Sequence, residues 1–151
     1  MSREAEPAQA AHVILMRRAD TDAGFRGDER ERPLSAQGKL AARNSSDEIF
    51  GEGHHPGPLL VSTSLAARQT AQIMVAELHV RDEVIYSDLL YQARADVMEA
   101  QVRAQAVAYT LVTLIADNPG ISELARFLAS NPNAPDMRPA EWRYLPWGPR
   151  G

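Results

Sequence analysis

The chain has no cysteine. That single absence excludes disulfides, thiolate metal sites and cysteine nucleophiles. It fits a cytoplasmic protein. No apolar run approaches the length that spans a bilayer, so no membrane role is expected. The stretch from Met1 to Ala11 lacks the basic-then-apolar pattern of a secretory leader and carries Glu4 and Glu6 instead. An excess of basic residues is also missing. Lys and Arg total 16 against 20 Asp and Glu, a net charge of −4, which argues against non-specific nucleic-acid binding. Internal repeats and low-complexity tracts are absent. What remains is an ordinary globular balance of 44% hydrophobic and 24% charged residues over 151 positions. One domain with a continuous core is expected.

Three short apolar runs rich in β-branched residues read as buried strands: His12 to Met16 (HVILM), Leu59 to Ser62 (LLVS) and Leu111 to Ile115 (LVTLI). Val84 to Tyr86 reads as a shorter strand suited to a sheet edge. Ala140 to Leu145 reads as a last one. Between them lie helical patterns. Ser35 is placed to cap a helix running to about Phe50, and others are expected over Leu65 to Leu78, Ala93 to Ala108 and Pro119 to Ala129. Arg17 to Pro33 reads as a long charged loop, Gly51 to Pro58 as a linker, and Asn131 to Pro139 as a loop. Strands alternating with helices predict an α/β three-layer sandwich, a mostly parallel sheet with helices on both faces. Residues 1–11 are expected to be a tail, 12–145 the domain, and 146–151 a second tail.

Ligand sites in such folds lie at the carboxyl ends of the strands. Three segments belong there: Arg17-Arg18-Ala19-Asp20, Thr63-Ser64 leading to Arg68, and Ala116-Asp117-Asn118-Pro119-Gly120. Together they bring Arg17, Arg18 and Arg68 to one rim, with Asn118 opening a helix whose N-terminus adds partial positive charge. Guanidinium forks suit phosphate oxygens. The competing reading is plainer: the arginines pair with Asp20, Asp22, Asp28 and Glu29 on the surface.

Four segments in order, VILMRRAD, ERPLSAQGKLAA, LLVSTSLAARQTAQIM and LVTLIADNPGISELARFL, resemble the histidine phosphatase superfamily, in particular its small phosphohistidine-phosphatase (SixA-like) branch. The resemblance covers roughly His12 to Leu128. It implies a phosphoglycerate-mutase-like fold, with Arg17 and Arg68 as phosphate-binding arginines and Ser62 and Ser64 in the segment presenting Arg68. It also implies that the nucleophilic histidine position is held by Arg18, in M-R-R-A, and the second histidine position by Asp117, in A-D-N-P-G. The family reaction passes through a phosphorylated imidazole. Arginine stays protonated and offers no lone pair, so Arg18 cannot replace that ring. An ionised Asp117 cannot donate to phosphoryl oxygens.

The remaining imidazoles, His12, His54, His55 and His79, fall near the amino ends of the strands, away from the cleft. His54-His55 lacks a carboxylate cluster that would make it a metal site. An aspartyl nucleophile at Asp117 with a magnesium ion near Asp20 and Asp22 is a further alternative, opposed by three nearby arginines. Since the resemblance sets the two histidine positions face to face, an Arg18–Asp117 ion pair closing the old site is expected. With it goes a catalytically degenerate domain that acts by binding, regulation or assembly, retaining weak phosphate or anion binding through Arg17, Arg18, Arg68 and Asn118. No cofactor and no metal are expected. The alternatives are an active phosphatase with a rearranged site and a purely structural subunit. In the final segment, Trp142, Tyr144 and Trp147 either cover the core or form a contact with a protein partner or a second copy.

Overall fold

A computed structural model describes residues 10–148. Nine elements of regular structure follow one another: β1 (His12–Arg17), α1 (Ala36–Gly51), β2 (Leu59–Ser62), α2 (Leu65–Leu78), β3 (Val84–Ser87), α3 (Ala95–Ala106), β4 (Leu111–Ala116), α4 (Gly120–Leu128) and β5 (Trp142–Pro146). Two short 3-10 turns, Glu29–Glu31 and Asp88–Leu90, stand in the loops after β1 and β3. The sheet order is β3-β2-β4-β1-β5. Four strands are parallel, and β5 runs antiparallel along the outer side of β1. The expected α/β sandwich with a mostly parallel sheet is therefore the observed one.

Side-chain alternation on the strands splits the core in two. Val13 and Leu15 of β1, Leu60 of β2, and Val112 and Leu114 of β4 face α3 and α4, where Met98, Val102, Ile121 and Leu124 close the layer. Ile14, Met16, Leu59, Val61 and Ile115 face the other way, onto Ala42 and Ile49 of α1 and Ala67, Ala71 and Met74 of α2. Both faces of the central strands are buried, which is why HVILM and LVTLI read as unbroken apolar runs. Thr113, fully buried in β4, donates its hydroxyl to the Pro56 carbonyl at 2.7 Å.

The C-terminal strand uses the same alternation. Trp142 packs on the α1/α2 layer and donates its indole N–H to Glu48 at 3.0 Å. Leu145 and Trp147 pack on the α3/α4 layer. The aromatic end of the chain thus clasps its own sheet from both faces. Two expected boundaries move as a result. Ala10 is buried and donates its N–H to the Ala106 carbonyl. Ala11 accepts from the Trp147 N–H at 2.8 Å, and Pro146 ends β5. Residues 10, 11, 146 and 147 therefore belong to the domain; of the rest of the two expected tails, Gly148 is described, while 1–9 and 149–151 lie outside the described residues.

The loop between β1 and α1 is held against the helix start by one close approach. Ser35 accepts from the Gly38 N–H at 2.9 Å as the α1 cap and donates its hydroxyl to the Asp20 carboxylate. A side chain at Gly38 would put a Cβ 2.0 Å from the Asp20 carbonyl oxygen. In an open helix, Gly→Ala is stabilising by roughly 1 kcal/mol. Here Gly38→Ala is expected to destabilise instead, by about 1–3 kcal/mol, because backbone must move to admit the methyl group. Urea denaturation of the variant checks the sign.

Candidate functional site

The cleft sits where adjacent strands part. β1 leads into α1 on one face, while its neighbour β4 leads into α4 on the other. A crevice opens at such a switch point, beyond the carboxyl ends of the strands. The ladder pairs Arg17 with Ala116, and the Arg18 N–H continues it to the Ala116 carbonyl at 2.9 Å. Arg18 and Asp117 are consequently brought side by side.

Asp117 is gripped from two directions. Its Oδ1 accepts from Arg17 Nε at 3.1 Å and from the Asn118 N–H at 2.7 Å. Its Oδ2 accepts from Arg18 Nε at 3.2 Å, with Arg18 Nη2 also at 3.2 Å. The Arg17 and Arg18 side chains are mostly covered, at 19% and 16% exposure, while the Asp117 side chain is 39% exposed. The expected Arg18–Asp117 pair is present, and Arg17 joins it. Arg17 also donates to the Met137 carbonyl at 3.1 Å, and Arg18 to the Ala19 carbonyl at 3.3 Å. Asn118 is similarly committed: its amide donates to Met137 O at 3.0 Å, and its oxygen accepts from the Ser122 hydroxyl.

The space in front is a cleft of about 110 Å³. Arg18, Asp117 and Asn118 reach it from the floor, and Ser62 and Ser64 from the end of β2. Neither Arg17 nor Arg68 lines it. Arg17 is turned to the Met137 loop. Arg68 donates to the Thr63 carbonyl at 3.2 Å and stands 3.8 Å from Glu31. The common rim of three arginines expected from the strand ends is therefore not formed; one of the three faces the cleft.

Other lining residues come from the long charged loop after β1 and from the segment after β3. Thr21, Glu29 and Arg32 close one side, and Tyr91 and Gln92 the opposite side. Arg32 binds both oxygens of Glu29 at 2.9 Å, and this hydrogen bonding holds the Glu29 carboxyl below the ordinary range. Arg30 reaches across to Thr63 and Asp88 and lies over the Tyr91 ring, 4.5 Å from its centroid. The Thr63 hydroxyl, followed by the Arg30 charge, keeps the Asp88 carboxyl below its usual value. Five arginines thus pair with four carboxylates around the cleft.

The histidines lie elsewhere. His12 starts β1, His54 and His55 precede β2, and His79 caps the end of α2. Tyr144 is sandwiched between two of these rings, 4.4 Å from His12 and 4.2 Å from His54. Among the described residues no histidine lines the cleft, and no group of three or more His, Asp or Glu is arranged to hold a metal ion. Asp20 turns to Ser35 and Asp22 to the Gly24 N–H, away from Asp117. No helix of the described residues is long and apolar enough to cross a membrane.

Fold and cleft define an α/β sandwich with an arginine-lined site at the sheet's switch point. The sequence matches no protein-family model and no curated protein. Solved structures do match. A protein described as phosphohistidine phosphatase SixA from Agrobacterium tumefaciens superposes with a TM-score of 0.80 at 21% identity, over 91% of this chain and 92% of that one. One described as SixA from Nakamurella multipartitia gives 0.71 at 27% identity, over 82% and 68%. The protein histidine phosphatase SixA complexed with tungstate gives 0.72 at 22% identity, over 85% and 81%. These neighbours are SixA-like phosphohistidine phosphatases of the histidine phosphatase superfamily, and this chain has their phosphoglycerate-mutase-like fold.

Replacing Asp117 with alanine leaves two covered guanidinium groups without their shared carboxylate. Fully exposed pairs contribute ~0–1 kcal/mol, and breaking fully buried ones costs about 3–5 kcal/mol. Asp117→Ala is expected to fall between, at about 2 kcal/mol of lost stability, read by chemical denaturation; an unchanged midpoint contradicts the role given to this carboxylate.

Proposed function

We propose that this chain is a catalytically degenerate histidine-phosphatase-like domain, a pseudophosphatase that works by binding or assembly. The observation carrying this reading is the Asp117 carboxylate held between Arg17 and Arg18 on the cleft floor. The resemblance in sequence sets Arg18 at the nucleophile position and Asp117 at the second histidine position. Phosphoryl transfer to nitrogen needs a neutral ring with a lone pair. A guanidinium has none at physiological pH. The floor carboxylate presents negative charge where a phosphoryl group would develop its own, which opposes stabilisation of that transition state. Asp117, Ala19 and Met137 engage the Nε donors and part of the Nη donors of Arg17 and Arg18. Each substitution alone would impair the chemistry. Together they satisfy one another, so the scaffold keeps its strand-end geometry without the reaction.

Incubation with a phosphohistidine peptide and with p-nitrophenyl phosphate is expected to give no turnover above buffer and no phosphorylated chain by mass spectrometry. Hydrolysis, or a trapped phosphorylated residue, contradicts the proposal. The double variant Arg18→His with Asp117→His is expected to gain turnover, since both imidazoles return to a floor whose backbone is intact.

A further inference from the structure

The charged groups of the cleft are occupied with each other, but its neutral hydrogen-bonding groups are not. Ser62 ends β2 with only 3% exposure, and its hydroxyl has no partner among the described residues. Among the described residues no side-chain oxygen or nitrogen is both sealed from solvent and unpaired, so this hydroxyl is open to solvent, and Ser62 lines the cleft. A hydroxyl open to the cleft is placed to bond what enters it. Thr21, Tyr91 and Gln92 line the same space, and their side-chain hydroxyls and amide have no hydrogen-bond partner among the described residues. Ser64 accepts from the Ala67 N–H, which leaves its own proton to donate.

Five residues with neutral donor-acceptor side chains thus line one small volume together with two carboxylates, Glu29 and Asp117. Arg18 and Arg32 border it with their Nε atoms already bonded to those carboxylates. An anion entering here would meet two guanidinium groups balanced by two carboxylates, with no net positive charge among the lining side chains to draw it in. A ligand with several hydroxyls would meet complementary partners: carboxylates accept, an amide does both, and hydroxyls rotate to suit.

We propose that the cleft binds a neutral polyhydroxylated small molecule, one edge of a free sugar, rather than phosphate. This assignment deepens the pseudophosphatase reading and rests on it. The full chain, 15N-labelled, is titrated with glucose, galactose, ribose and glycerol, and separately with inorganic phosphate at matched ionic strength. A neutral sugar is expected to move the Ser62, Ser64, Tyr91 and Gln92 amide signals saturably. Ser62→Ala is expected to weaken that binding roughly fivefold, the loss of about one hydrogen bond, without lowering the melting temperature, because the hydroxyl bonds nothing in the free protein. Phosphate moving these signals where no neutral probe does overturns the proposal, and so does silence from every probe. Phosphate-ester turnover on the same sample is read independently: hydrolysis removes the pseudophosphatase reading, whereas sugar silence without hydrolysis removes only this inference.

Discussion

One carboxylate organises the open end of this sheet. Asp117 joins the ends of β1 and β4 at the point where the chain leaves to opposite faces. Without it, adjacent Arg17 and Arg18 would place two cations within a few ångströms in partly desolvated surroundings. With it, each guanidinium has a partner, and one further donor of each reaches the Met137 or the Ala19 carbonyl. Such an arrangement adds modest net stability, because desolvation offsets much of the attraction. Its effect is on geometry. It ties β1, β4, the first turn of α4 and the loop at Met137 into one unit.

Everything in front of that unit inherits its charge state. Glu29 answers Arg32, Asp88 answers Arg30, and Glu31 stands near Arg68. A site that draws phosphate needs guanidinium donors in waiting. In this cleft the guanidinium groups that line it, Arg18 and Arg32, are each paired with a carboxylate, Asp117 and Glu29. A shared fold leaves such site chemistry to individual side chains.

Much of the architecture was legible because burial leaves a simple signature. HVILM, LLVS and LVTLI are apolar on both faces, as parallel strands under two helical layers must be. Leu65–Leu78 matches its expected bounds, and Ser35 caps α1 as its position suggested. The last strand was harder. Ala140 takes a left-handed φ of 64° and gives its N–H to the Arg17 carbonyl, so β5 begins only at Trp142. Its antiparallel direction has no local signal at all. The site was legible only in part. The strand ladder brings Arg18 to Asp117, so that pair followed from topology. Arg17 joining it, Arg68 turning to Thr63, and Arg32 entering the cleft depend on which of several nearby acids each arginine finds in three dimensions. Composition of the DERERP stretch shows charge but not pairing; the Glu29–Arg32 spacing of three was the one usable hint.

The direct measurement is of the clamp itself, by arginine side-chain NMR on 15N-labelled protein near neutral pH. The account predicts two slowly exchanging Nε–H signals, assigned to Arg17 and Arg18, that collapse into the fast-exchanging population in Asp117→Ala. Rapid exchange of both in the unaltered chain, or no change on removing the carboxylate, would contradict it.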